Sequence, residues 1–291
     1  MSPRCLIPTI CITLAMLIAF LPEIMSGNAL TQTEDEVRFI NTKDFPAAVY
    51  EIESGDLRGL RSGNSHPYHH VMWTNLREET DVFGVTNHIS AFEVAVNPWT
   101  SEAAAVIVES HSSRTWRLRL NATYDQDMVV RYRTVIHELM HLLTVDLFNV
   151  HRNYNCIRVD PRMSTNQRYL IPFEKRFWTG CTDFFIKHSI LRQAFVSQYA
   201  SASILEDAAE SGTAFIICGE NHKHKGIAKE KIDFFAQSPE MQRIRRDLKK
   251  LYSSDFWQRV QKEHVVICDP EVARKRTMTP FEHLLEFFTS N

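Results

Sequence analysis

His137-Glu138-Leu139-Met140-His141 is the segment of this chain with the most specific chemical content. In a helix, residues four apart lie on one face, about 5.4 Å from one another along the axis. Two imidazoles so placed can bind one Zn²⁺. Glu138 then lies beside the metal, where a carboxylate can take a proton from water that the metal acidifies. The surroundings favour that reading. Arg131 to Phe148 contains neither Pro nor Gly, so an unbroken helix is expected. Val135, Ile136, Leu139, Met140, Leu142 and Leu143 make it apolar around most of its circumference, as in a buried helix. Thr134, His137, Glu138, His141 and Thr144 form its polar stripe. Buried ionisable groups are costly unless they are paired or bind metal. The alternative reading is two core histidines satisfied by hydrogen bonds, beside an exposed glutamate.

A catalytic zinc site takes three protein ligands and keeps a fourth position open. The extended pattern HExxHxxGxxH is excluded, because Thr144 stands where the Gly belongs and Leu147 where the third His belongs. The other common solution is a carboxylate on a later helix. Between Ser197 and Cys218, Glu206 and Glu210 are four apart and share a face if the segment is helical. Ala208, Ala209 and Gly212 would let that helix approach the first one closely. A local explanation competes: Ser203-Ile-Leu-Glu206 fits a capping box, in which Glu206 bonds back to the backbone at a helix start. Asp207, Asp160, Glu174 and Asp183 are further candidates, none in a comparable apolar helical setting.

HExxH followed by Tyr-x6-Glu-x3-Glu resembles the gluzincin peptidases of the anthrax lethal factor type. The resemblance implies Glu206 as third metal ligand and Tyr199 as a hydroxyl that stabilises the transition state. It implies Glu210 as the outer partner of a ligand imidazole. It covers two segments, roughly 131–148 and 197–218. The interval between His141 and Glu206 is longer than expected for that family, which implies an insertion near 149–180. The fold implied is α+β and zincin-like, with an active-site helix, a small edge-stranded sheet and a helical C-terminal part. An edge strand before the active-site helix would pair with an extended peptide substrate.

The N-terminus carries Arg4, an apolar run from Leu6 to Leu21, and Gly27 and Ala29 at −3/−1 spacing. This is a signal-peptide pattern over 1–29, and a secreted, extracellular protein is expected. An uncleaved N-terminal anchor is the alternative; no second long apolar run follows. The leader holds one basic and one acidic residue, so the net charge of −2 is unchanged by its removal. That balance gives no reason to expect nucleic acid or an anionic membrane as partner. Cys156, Cys181, Cys218 and Cys268 remain after the leader, and an even number suggests two disulfides. Three pairings are open; Cys156–Cys181 and Cys218–Cys268 are favoured, the second tying the Glu206 helix to the C-terminal region. Asn121-Ala-Thr123 is a glycosylation sequon.

Residues 30–70 are expected to be an N-terminal segment, propeptide or linker, and 71–291 the catalytic domain. Gly55, Gly59, Gly63 and Pro67 suggest a loop or linker over 54–70. Arg58-Gly-Leu-Arg61 resembles a processing site; cleavage there would make 30–61 a propeptide. His66, His69, His70, His222 and His224 are read as solvated loop residues. Ala104 to Glu109 and Thr115 to Leu120 look extended, the second as a half-buried strand with Trp116, Leu118 and Leu120 alternating with Arg117 and Arg119. Ser238-Pro239 opens a helix with Met241, Ile244, Leu248 and Leu251 in phase, and Thr279-Pro280 opens another. Arg243, Arg245, Arg246, Lys249 and Lys250 are read as the solvated side of theirs. The function expected is that of a secreted zinc endopeptidase acting on peptide or protein substrates. The alternatives are a zincin-fold binding or effector protein without catalysis, and a disulfide-stabilised binding protein in which HExxH is accidental.

Overall fold

The structure, a computed structural model, describes residues 46–97, 103–110, 115–122, 128–144, 151–153, 156–158, 169–178 and 194–272. The expected leader at 1–29, the helix opening at Thr279 and the side chains of the Cys156–Cys181 pair lie outside the described residues, as do Asp160 and Asp183. Strands β1 (Ala48–Glu53) and β2 (Asp56–Gly63) form a hairpin. Its turn is Ser54-Gly55, with φ of 53° and 82°. Two positive φ values in a two-residue loop match the twist of the strands they join. Helix α1 (Pro67–Phe83) follows. It starts with Pro67 in its first turn and with the His66 ring accepting from the Tyr68 N–H, and it ends at a left-handed Gly84.

The segment 54–70 is therefore a strand and a helix start rather than a linker, and the boundary expected between 70 and 71 falls inside α1. Cleavage at Arg61 would cut β2 and remove β1, whose Ala48, Tyr50 and Ile52 belong to the core. A propeptide ending there does not fit. Nor are all the histidines solvated. His69 is buried on α1 with its Nδ1 2.8 Å from the Tyr50 hydroxyl, and His224 is buried 2.8 Å from the Ile267 carbonyl.

Strands β3 (Ile89–Ala95), β4 (Ala104–Ser110) and β5 (Thr115–Asn121) complete a five-stranded sheet of order β2-β1-β3-β5-β4. Only β3 and β5 pair in parallel among these strands. The register aligns apolar rows across the inner face: Tyr50, Phe92, Leu118 and Val106, then Ala48, Val94, Leu120 and Ala104. The opposite face carries charge. Arg117 reaches Glu93 at 3.1 Å and Glu109 at 2.6 Å, and Arg119 reaches Glu93 at 3.0 Å. β5 is half-buried as its alternation predicts, but it is internal; the edge strand beside it is β4, and β2 forms the opposite edge.

Asn121, at the end of β5, is buried, and its Nδ2 donates to the Asn97 carbonyl at 2.9 Å. A glycan on that nitrogen would require the amide to leave the core, so the expected modification at Asn121 does not fit the fold.

Helix α2 (Met128–Thr144) carries the HExxH residues against the inner face of the sheet. A two-stranded ribbon, β6 (His151–Asn153) with β7 (Cys156–Arg158), follows. Among the described residues the remaining regular elements are helical: α3 (Leu170–Phe177), α4 (Ile204–Cys218), α5 (Gly226–Ala236), α6 (Pro239–Leu251), α7 (Ser254–Glu263) and α8 (Val265–Cys268). The architecture is α+β. Among the described residues no helix is long and apolar enough to cross a membrane. α6 starts as expected, the Ser238 hydroxyl accepting from the Met241 N–H. Its basic residues divide. Arg246, Lys249 and Lys250 are exposed, whereas Arg243 donates to the Val82 carbonyl at the end of α1 and Arg245 to the Ile216 carbonyl in the last turn of α4. Long cations at helix C-termini satisfy orphan carbonyls and complement the dipole. Cys218 and Cys268 are disulfide-bonded, joining the end of α4 to α8.

Behind α2, Glu79 of α1 is buried and accepts from the Tyr252 hydroxyl. Burial, chiefly, and Glu78 push its carboxyl up to about 7, against Tyr252 and Arg131. Between its ordinary 4.5 and about 7, the unfolded chain releases a proton that the folded chain keeps. Stability therefore falls as pH rises through that window and levels off above it, by up to ~3 kcal/mol. Glu79→Gln has the shape of the protonated acid and should remove that part of the decline. Denaturant titrations of both proteins at pH 5 and pH 8 test this; an equal difference between the proteins at the two pH values would refute it.

Candidate metal centre

The site is assembled by two helices at close quarters. α2 presents His137, Glu138 and His141 on one face because four residues make about one turn. α4 lies against it, with Ala208, Ala209 and Gly212 fully or almost fully buried between them and their surroundings. A Cβ added at Gly212 would fall 2.2 Å from Met140 Cε, so α2 occupies the space a side chain there would need. α4 is capped by Ser203, whose hydroxyl accepts from the Glu206 N–H at 3.2 Å. The backbone of Glu206 thus takes the cap that the sequence suggests, while its carboxylate turns to the histidines.

Among the described residues, His137, His141 and Glu206 are the group whose ligand atoms converge, and all three are buried. The two Nε2 atoms are 3.0 Å apart, and Glu206 Oε2 lies 3.1 Å from His137 Nε2 and 3.3 Å from His141 Nε2. Bonds of about 2.0–2.1 Å at tetrahedral angles place ligand atoms about 3.3 Å apart. The triangle therefore has close to the size of one face of a tetrahedral site, and its N/N/O donor set suits a transition metal. Glu174 on α3 is not part of it.

Charge accounts for the same convergence. Burial favours a neutral His137, but Glu206 and Glu210 outweigh it and raise the imidazole to about 10. Burial likewise raises Glu206, but His141 and His137 outweigh it and hold the carboxylate at about 2. Two buried carboxylates thus favour a cation at this point, and a metal would compete with the proton for His137 Nε2.

Glu210 stands behind His137, its Oε1 2.9 Å from Nδ1. Its Oε2 accepts from Arg133 at 2.7 Å and from the Ser197 hydroxyl at 2.6 Å. Burial pushes this carboxyl up; Arg133, His137 and Ser197 together hold it well below the usual range. This bond fixes the ring so that Nε2 faces His141 and Glu206. Glu210→Gln keeps the shape but loses the charge and the Arg133 pair. Metal affinity is expected to fall about 10–100-fold, read by competition with a chromogenic chelator. Unchanged affinity would mean that Glu210 does not orient the ligand.

Glu138 is buried with its Oε2 accepting from the Val106 N–H of edge strand β4 at 2.9 Å. Burial raises its pKa, against His141 and His137. Tyr199 sits in a single 3₁₀ turn, Tyr199–Ala202, separated from α4 by extended Ser203. Its ring centroid is 5.7 Å from that of His137, and its hydroxyl is buried without a hydrogen-bond partner. Burial, Glu206 and Glu138 push the phenol well above its ordinary range, so it is a donor at all working pH values.

The structure thus brings His137, His141 and Glu206 together, with Glu138, Tyr199 and Glu210 beside them. Three partners were not foreseen. Arg133 had a signal, lying one turn before His137 on the same face of α2. Ser197 and the Val106 N–H had none, since only the tertiary fold brings them in. Comparison with protein families, curated proteins and solved structures returned no match to this chain.

Proposed function

We propose that the chain is a secreted zinc-dependent endopeptidase. The observation that carries the reading is the convergence of His137, His141 and Glu206 with Glu138 on the same helix turn. Zn²⁺ bound by those three residues supplies a Lewis acid that polarises a carbonyl and acidifies water. Glu138, raised in pKa and buried beside the ligands, accepts the proton of the attacking water and delivers it to the leaving amine. The Tyr199 hydroxyl, buried without a partner, donates to the oxyanion that develops on the scissile carbonyl. β4 is the sheet edge nearest α2, and an extended peptide adding to it would be held by backbone hydrogen bonds. The Cys218–Cys268 bridge supports an oxidising compartment, as secretion requires.

The test is zinc content by mass spectrometry, together with cleavage of a mixed peptide library before and after chelation. About one zinc per chain is expected, with cleavage that stops on chelation and returns with added zinc. A folded protein that contains no zinc and takes none up would end this reading.

A further inference from the structure

Asp207 follows the ligand Glu206 in sequence, about 100° further round α4, and points into the protein. It and Lys231 of α5 are both fully buried, with Nζ 2.6 Å from Asp207 Oδ2. The same ammonium donates to the Ala194 carbonyl at 2.8 Å and lies 4.1 Å from the centre of the Phe195 ring. Asp207 Oδ2 also accepts from the Trp178 indole at 2.7 Å. None of these groups belongs to the metal centre, and the stability of the core does not account for them. Desolvation offsets the attraction within a buried ion pair, so an apolar pair of equal volume would serve a core as well.

We propose that Lys231 is a positioning residue for the metal centre, an inference that rests on the reading of His137, His141 and Glu206 as metal ligands. Its ammonium connects two supports of that centre. Through Asp207 it fixes the rotation of α4, and hence the direction in which Glu206 and Glu210 project. Through Ala194 it anchors the segment that supplies Ser197 to Glu210 and, two residues later, Tyr199 beside His137. Relaxation at Lys231 would reach the ligands by both routes.

Lys231→Met alone leaves Asp207 buried and unpaired, and that variant is at risk of not folding. Lys231→Met/Asp207→Asn removes both charges and keeps an acceptor for Trp178. Both variants and the parent would be titrated with Zn²⁺ against a chelator, with folding checked by circular dichroism, and their Co²⁺ complexes compared by visible absorption. The expected result is a folded double variant that binds Zn²⁺ about 10–100-fold more weakly, with a shifted or weakened Co²⁺ spectrum. A purely structural pair would change the melting temperature and leave affinity and spectrum alone; that result overturns the proposal while the metal centre stands. A parent that binds neither metal overturns both.

Discussion

Replacing Glu138 by Gln is expected to leave the metal content unchanged and to lower peptide hydrolysis by about 10²–10⁴-fold, the usual contribution of a general acid–base group. The two halves of this prediction have separate causes. Glu138 is not one of the three converging ligands, so its charge is not needed to hold the ion. Gln has the same shape, and its carbonyl oxygen can still accept the Val106 N–H that Glu138 takes at 2.9 Å. What it cannot do is accept a proton. The surroundings of Glu138 suit proton transfer, because burial raises its pKa while the neighbouring histidines limit the rise. Metal content by mass spectrometry and turnover of a peptide identified from the library decide the matter. Activity within a factor of a few of the parent would rule Glu138 out as the base. Loss of the metal would make Glu138 part of its coordination instead.

The candidate site was legible because its information is local. HExxH places two imidazoles and a carboxylate on one helix face through helix geometry alone, and the apolar context of Glu206 and Glu210 marks a buried helix with two acids a turn apart. The hairpin β1–β2 was not legible, because β2 lies at the sheet edge with most of its side chains exposed. An exposed edge strand has no apolar alternation to reveal it, so Gly55, Gly59 and Gly63 read as a linker. The local signal it does carry is Ser54-Gly55, a two-residue turn between Glu53 and Asp56. α1 is hidden for a related reason: its start signal, Pro67 behind a capping His66, lies among histidines and polar residues. The choice of β4 over β5 as edge depends on the order of the sheet. The burial of Asn121 depends on packing against Asn97. Neither is written in the segment concerned.

Removing the Cys218–Cys268 bridge by Cys218→Ala/Cys268→Ala is expected to cost about 4 kcal/mol of stability and to leave metal affinity nearly unchanged. The bridge closes a loop with a sequence separation of 50, and the chain-entropy account assigns roughly that much to a loop of this length. Against a typical total of about 5–15 kcal/mol, this is a large share. The folded state has other ties at the same place. The Arg245 guanidinium donates to the Ile216 carbonyl at 3.1 Å, and the Gln261 amide to the Ile217 carbonyl at 3.0 Å, so α6 and α7 hold the end of α4 without the sulfurs. The Lys223 N–H donates to the Cys268 carbonyl at 2.7 Å and keeps α8 in place. Glu206 and Glu210 sit toward the other end of α4, secured by the Ser203 cap, Arg133 and Ser197. The loss should therefore come mainly from freedom gained by the unfolded chain, visible as a lower denaturation midpoint. Zinc affinity in native buffer should change far less than the 10–100-fold expected for Glu210→Gln. Unaltered stability would mean that the bridge constrains nothing in solution. A parallel collapse of metal affinity would mean that the end of α4 helps to set the ligands, which its hydrogen bonds to α6 and α7 argue against.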